Sequence, residues 1–227
     1  MYISTRNNYG KVSAAMAIKT GMVPAGGLFV PEKVPCFSPE KILSMLGATY
    51  QEVAEEILTL YLEDYAREEI KECIANAYHA GRFGHQDIAP LYKLNERTFI
   101  LELWHGPTAA FKDMALQVMP HLLSLALKKA ETKKETVILV ATSGDTGKAA
   151  LEGFKNVPGI KIIVFFPYRG VSKIQELQMT TTDGNNTYAV AVKGNFDDCQ
   201  GAVKELFGDI SFNEELDRKG FALSSAN

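Results

Sequence analysis

At 227 residues and 46% apolar content, the chain is long enough for one large or two small domains around a packed core. A formal net charge of -3 with scattered basic residues gives no electrostatic reason to expect nucleic acid as a partner. Cys36, Cys73 and Cys199 lack disulfide or zinc-site spacing, no apolar run is long enough to cross a bilayer, and the N-terminus has no signal-type core, so a metal-free cytoplasmic protein is expected.

The first eighty or so residues form one compositional block. MYISTRN alternates like a short strand, and GGLFVPEKVP is an extended piece fenced by Gly and Pro. In SPEKILSML, Ser38 is placed to cap a helix with Pro39 at its first position. Thr49 and Glu52 have the spacing of a capping box, and Val53, Ile57, Leu60 and Tyr61 recur behind them at helical intervals. AREEIKECIANAYHA reads as a further helix, ending before GRFG. A small, mainly helical domain with a few strands is expected over residues 1–85.

The pattern changes from about residue 88. TFILELW reads as a strand, and a helix is expected over roughly 112–130. The β-branched runs TVILVAT, IKIIVFF and TYAVAV follow as strands separated by the helical segments KAALEGFKN and VSKIQELQM. CQGAVKELFG and a last short helix then lead to GFALSSA. Lys128, Lys129, Lys133 and Lys134 mark a solvated helix end. Strands alternating with amphipathic helices imply a parallel sheet covered on both faces, so residues 86–227 are expected to form a three-layer α/β region.

In such sheets ligands bind beyond the carboxyl ends of the strands. WHGPTAAFKD, ATSGDTGKAA and KGNFDDCQ each lead from small residues into a helix start, where backbone N–H groups can face an anion. SGDTGK is not a nucleotide-binding P-loop. Thr142 stands where the first glycine is required, and Ala149 replaces the magnesium-binding hydroxyl. What remains is a donor-rich loop, with the Ser143 and Thr146 hydroxyls and the amides around Gly144 and Gly147, that suits a carboxylate or phosphate or is simply a tight turn.

Lys112 starts a helix, where the dipole and partial burial both disfavour an ammonium ion. That is the direction needed by an amine nucleophile, and the alternative is a surface lysine paired with Asp113 or Glu102. Lys148 has no better claim. His105 caps its loop or orients a phosphate, and His79, His85 and His121 read as structural. Asp197 and Asp198 suit the positive end of a helix. Trp104 and Phe111 pack in the core or flank a planar cofactor.

Taken together, YISTRN, GGLFVPE, LELWHGPTAAFKDMALQ, SGDTGKAA and GNFDDCQ, in this order, resemble the threonine synthase family, fold-type II enzymes dependent on pyridoxal 5'-phosphate. The resemblance implies that Lys112 is the Schiff-base lysine, that Phe111 belongs to the cofactor site, and that Ser143, Gly144, Asp145, Thr146 and Gly147 cradle the substrate carboxylate. It implies conversion of O-phospho-L-homoserine and water to L-threonine and phosphate, by a monomer or homodimer with no membrane or nucleic-acid partner. The alternatives are another elimination or deaminase enzyme of this fold, or an inactive relative that binds phosphorylated ligands. The family is roughly twice as long, so the resemblance also implies an incomplete, inactive fragment whose partners for the cofactor phosphate and pyridine nitrogen lie beyond Asn227.

Overall fold

The computed structural model describes residues 1–24 and 26–226. Strand β1 (Tyr2–Ser4) is followed by helix α1 (Ala14–Thr20) and by β2 (Phe29–Pro31), which pairs antiparallel with β1. Helix α1 is an addition to the sequence reading. It has seven residues, too few to hold themselves, and depends on the Ser13 cap and on burying Ala14, Ala15 and Ala17. Its C-terminus reaches the far end of the chain, where the Ser224 hydroxyl donates to the Lys19 carbonyl at 3.2 Å.

Helices α2 (Pro39–Ser44), α3 (Tyr50–Tyr61) and α4 (Arg67–Ala77) start where their caps place them. The Ser38 hydroxyl accepts from the Lys41 amide, and Thr49 and Glu52 form the reciprocal capping box. The core of this part joins Ala14, Leu62, Ile70, Ile74, Tyr78 and Phe83 to Ile88, Val118, Leu122 and Ala126. It therefore draws residues from both sides of position 85.

TFILELW does not belong to the parallel sheet. Its strand, β4 (Phe99–Leu101), pairs antiparallel with β3 (Leu91–Lys93) in a separate two-stranded ribbon whose residues are all exposed. Apolar composition at this point reports a ribbon rather than a buried strand, because no helix among the described residues covers it.

The single helix expected over 112–130 is broken into α5 (Asp113–Leu116) and α6 (Met119–Lys129). Pro120 is the cause: it lacks an N–H, and its ring crowds the carbonyl four residues earlier, that of Leu116. Strand β5 (Glu135–Ala141) then leads to α7 (Asp145–Phe154), β6 (Ile160–Pro167), α8 (Lys173–Thr180), β7 (Thr187–Val192), α9 (Phe196–Gly208), α10 (Ile210–Arg218) and β8 (Phe221–Ser225). The displaced Leu116 carbonyl lies against Gly153 of α7, where an added Cβ would overlap it. Gly153→Ala is accordingly expected to force α5 from α7 and to lower stability by about 2–3 kcal/mol, read as a shifted denaturation midpoint with unchanged slope.

Strands β5, β6, β7 and β8 form one parallel sheet in the order β7-β6-β5-β8. Alternate residues serve opposite layers. Ile138, Val140, Ile160, Ile162 and Val164 pack with Leu151 and Phe154 of α7 and Met179 of α8. Val137, Leu139, Ala141, Ile163 and Phe165 pack with Cys199 and Val203 of α9. The three layers expected from composition are present.

His121, half-buried on α6, is held below its ordinary 6.5 by burial first and by Arg82 second. The unfolded chain therefore binds a proton that the native chain resists once the pH falls below 6.5. Stability is expected to drop through that window, and His121→Leu should flatten that part of the curve of Tm against pH. Among the described residues, no helix is long and apolar enough to cross a membrane.

Candidate active site

The stretch WHGPTAAFKD folds around the carboxylate of Asp113. This side chain is wholly buried. It accepts from the Thr108 amide at 2.9 Å, from the Thr108 hydroxyl at 2.9 Å and from the Gln117 side-chain amide at 2.9 Å. Gln117 in turn accepts from Arg82 Nε at 2.7 Å, and Arg82 donates to the Glu152 carbonyl at 3.2 Å. A buried acceptor with three donors is satisfied rather than costly. The loop closes on it so tightly that Gly106 has no room for a side chain against Asp113.

That network decides the surroundings of Lys112. The two carboxylates available to it by sequence are otherwise engaged: Asp113 holds Thr108 and Gln117, and Glu102 pairs with His105 at 2.6 Å. No carboxylate partners Lys112 among the described residues, and its ammonium lies 5.0 Å from the centre of the Phe111 ring. Because α5 is a single turn, the helix field at Lys112 is weaker than one running to residue 130 would supply. Trp104 and Phe111 are about half exposed, so neither packs in the core of the described residues. His105 is fixed by Glu102 and by the Gly84 amide, which donates to its carbonyl at 2.8 Å.

The second loop leaves β5 and enters α7. The amides of Gly144 and Gly147 are not free donors, since both give their hydrogens to the Thr142 hydroxyl at 2.9 Å. In the sequence Thr142 marks only the missing P-loop glycine; a hydroxyl residue placed just before such a turn is also a recognisable acceptor for its amides. The amides of Ser143, Asp145 and Thr146 have no acceptor among the described residues. Gly144 adopts φ 135 with Gln175 pressed against it, and Gly147 lies against Thr142 and Val164, so both glycines serve shape. The Asp145 carboxyl is held below its usual range by a hydrogen bond from Gln175 first and by Lys148 second. Lys148 is buried and reaches Asp145 at 3.1 Å, so it is spoken for.

The third loop offers no comparable donors. Asn195 caps α9 by accepting from the amides of Asp197 and Asp198, and Asp198 returns the bond to the Asn195 amide. Asp197 and Asp198 lie in the first turn, as their charge suits.

Topology brings the first two loops together. From β5 the chain passes to β6 and β7 on one side, then returns through α9 and α10 to place β8 on the other side of β5. The strand order reverses between β5 and β8, and the crevice beyond their carboxyl ends is where an open α/β sheet binds ligands. A cavity of about 560 Å³ there is lined by Lys112, by Thr146 just after β5 and by Ala226 just after β8. Its other walls are mainly apolar, including Ile18, Leu58, Met119 and Leu122. Tyr78 also lines it and donates to the Met114 carbonyl at 2.5 Å, with burial pushing its phenol up. A larger hollow of about 910 Å³ between α1, α10 and β8 contains none of the candidate residues.

Residues 1–78 match the family described as the threonine synthase N terminus. A threonine synthase of Pseudomonas aeruginosa is 41% identical over 212 residues, which span 93% of this chain and 44% of that protein. The fold superimposes on a pyridoxal-phosphate-bound threonine synthase from Brucella melitensis with TM-score 0.86 and 36% identity, covering 100% of this chain and 47% of the other. Yeast threonine synthase gives TM-score 0.85 and 33% identity, with 100% and 45% covered. The chain thus spans less than half the length of these relatives, and its α/β fold is of the fold-type II kind they share.

Proposed function

We propose, from the similarity of this chain to threonine synthases in sequence and fold and from the match of residues 1–78 to their N terminus, the activity of that family for a chain of the relatives' full length: conversion of O-phospho-L-homoserine and water to L-threonine and phosphate, with pyridoxal 5'-phosphate as cofactor. The observation that carries this reading is the pairing, in one cavity at the strand-order reversal, of Lys112 with the first turn of α7. The residues fit the cofactor. The amine has no competing carboxylate among the described residues, and the cavity walls are mainly apolar.

In this reading Lys112 holds the cofactor through its amine, and Phe111 flanks the cofactor ring. The cofactor, when bound, supplies an electron sink for charge developing beside the substrate nitrogen. Lys112 would also hold and return protons at the substrate Cα and Cβ. The Ser143, Asp145 and Thr146 amides, at the positive end of α7, bind the substrate carboxylate together with the Ser143 and Thr146 hydroxyls. Gly144 and Gly147 contribute by letting the loop turn against Gln175 and Thr142.

Borohydride reduction of the protein with pyridoxal 5'-phosphate, followed by peptide mapping, is expected to place the adduct on Lys112. An adduct on Lys148 or another lysine would overturn the assignment. Phosphate and threonine appearing together from phosphohomoserine support the synthase, whereas 2-oxobutanoate or binding without turnover would favour a deaminase or a non-catalytic relative.

A further inference from the structure

Helix α8 bears two glutamines one turn apart, and each reaches a different candidate loop. The Gln175 side-chain amide donates to Asp145 Oδ1 at 2.9 Å and is packed on Gly144, while its oxygen accepts from the Ser172 amide at 3.1 Å to complete the cap of α8. The Gln178 side-chain amide donates to the Thr108 carbonyl at 3.4 Å. Thr108 is the residue whose amide and hydroxyl both bind Asp113, next to Lys112. Residues at this spacing share one helix face, so one face of α8 touches both loops.

Gln178 is not explained by packing. Its Oε1 is buried with no donor among the described residues. A methionine or leucine would fill similar space without stranding an acceptor, so a glutamine here sacrifices stability. The side chain's one polar contact among the described residues is to the Lys112 loop. Polar groups that strain the local balance and contact a site mark places where function overrides packing.

We propose that Gln175 and Gln178 are positioning residues that hold the Lys112 loop and the Ser143–Gly147 loop in register with each other. The inference rests on the reading of the site given above. Gln175 fixes the loop assigned to the substrate carboxylate, and Gln178 fixes the loop bearing the amine. Their loss should therefore act on different kinetic constants.

The test uses the protein at its relatives' full length, with pyridoxal 5'-phosphate and O-phospho-L-homoserine, and two variants. Gln175→Glu retains the acceptor that caps α8 but turns its donation to Asp145 into repulsion. Gln178→Met retains volume and removes the donor. The expected results are KM raised about tenfold with little change in kcat for Gln175→Glu, and kcat lowered about tenfold with KM within about twofold for Gln178→Met. Amide hydrogen exchange, with or without cofactor, should quicken over 142–147 in the first variant and over 104–112 in the second. Gln178→Met should melt no lower than the parent. Unchanged exchange in both loops, or kcat and KM falling together with Tm, would overturn the proposal. A parent protein that gives no reducible adduct on Lys112 defeats the functional reading instead, and the exchange data then decide the loop contacts by themselves.

Discussion

Lys112→Ala, in a chain of the relatives' full length, is expected to abolish covalent attachment of pyridoxal 5'-phosphate and to reduce turnover of phosphohomoserine by about a thousandfold or more, because one amine both anchors the cofactor and moves the protons. The structure separates this from a folding defect. Lys112 is partly buried, but no ion pair or hydrogen bond ties its side-chain amine to the rest of the described chain. Its removal should change stability by no more than about 0.5 kcal/mol. A variant with the parent's Tm, no reducible adduct and no threonine is the expected outcome. A Lys112→Ala protein that still forms the adduct and still turns over would remove the basis of the assignment, and Lys148→Ala is the control. Because Lys148 is buried against Asp145, that change should cost stability rather than remove the adduct.

The second large effect belongs to Asp113. Asp113→Ala leaves the Thr108 amide and hydroxyl and the Gln117 side-chain amide without their acceptor, and so removes three hydrogen bonds to a buried carboxylate. A loss of about 3–5 kcal/mol is expected, the range for breaking a buried charged network from one side. Asp113→Asn should recover little of it, since all three neighbours donate and the new amide nitrogen would face a donor. The midpoint of urea unfolding measures this directly. If either variant unfolded within about 0.5 kcal/mol of the parent, the loop would owe its shape to something other than this carboxylate.

Part of the site was legible from order along the chain. Lys112 in WHGPTAAFKD and the hydroxyls of SGDTG stand out because each type of side chain has few uses at a helix start. Gln117 was within reach as well, four residues beyond Asp113 and hence on the same helical face. Arg82, Gln175 and Gln178 were not legible. Each meets the site from 30 or more residues away in sequence, as in the pair Gln175 and Asp145 with its separation of 30.

Local signals also misled where a neighbour in space overrode them. TFILELW reads as a strand at the head of an alternating α/β pattern, yet β4 is exposed and outside the parallel sheet, because which strand such a run pairs with depends on elements elsewhere in the chain. The free donors expected at Gly144 and Gly147 are consumed by Thr142, a side chain that the loop folds back upon.

What the amino-acid order determined by itself was most of the elements: caps at Ser38 and Thr49 and β-branched runs for β5 and β6. These follow from interactions spanning a few residues, so they are written locally. Only the tertiary structure decided that β8 returns beside β5, that the strand order reverses there, and that Lys112 and Thr146 line one cavity at that crevice. Placement of this kind depends on burying faces whose partners lie far apart in the chain, and no local preference encodes which distant face will meet which.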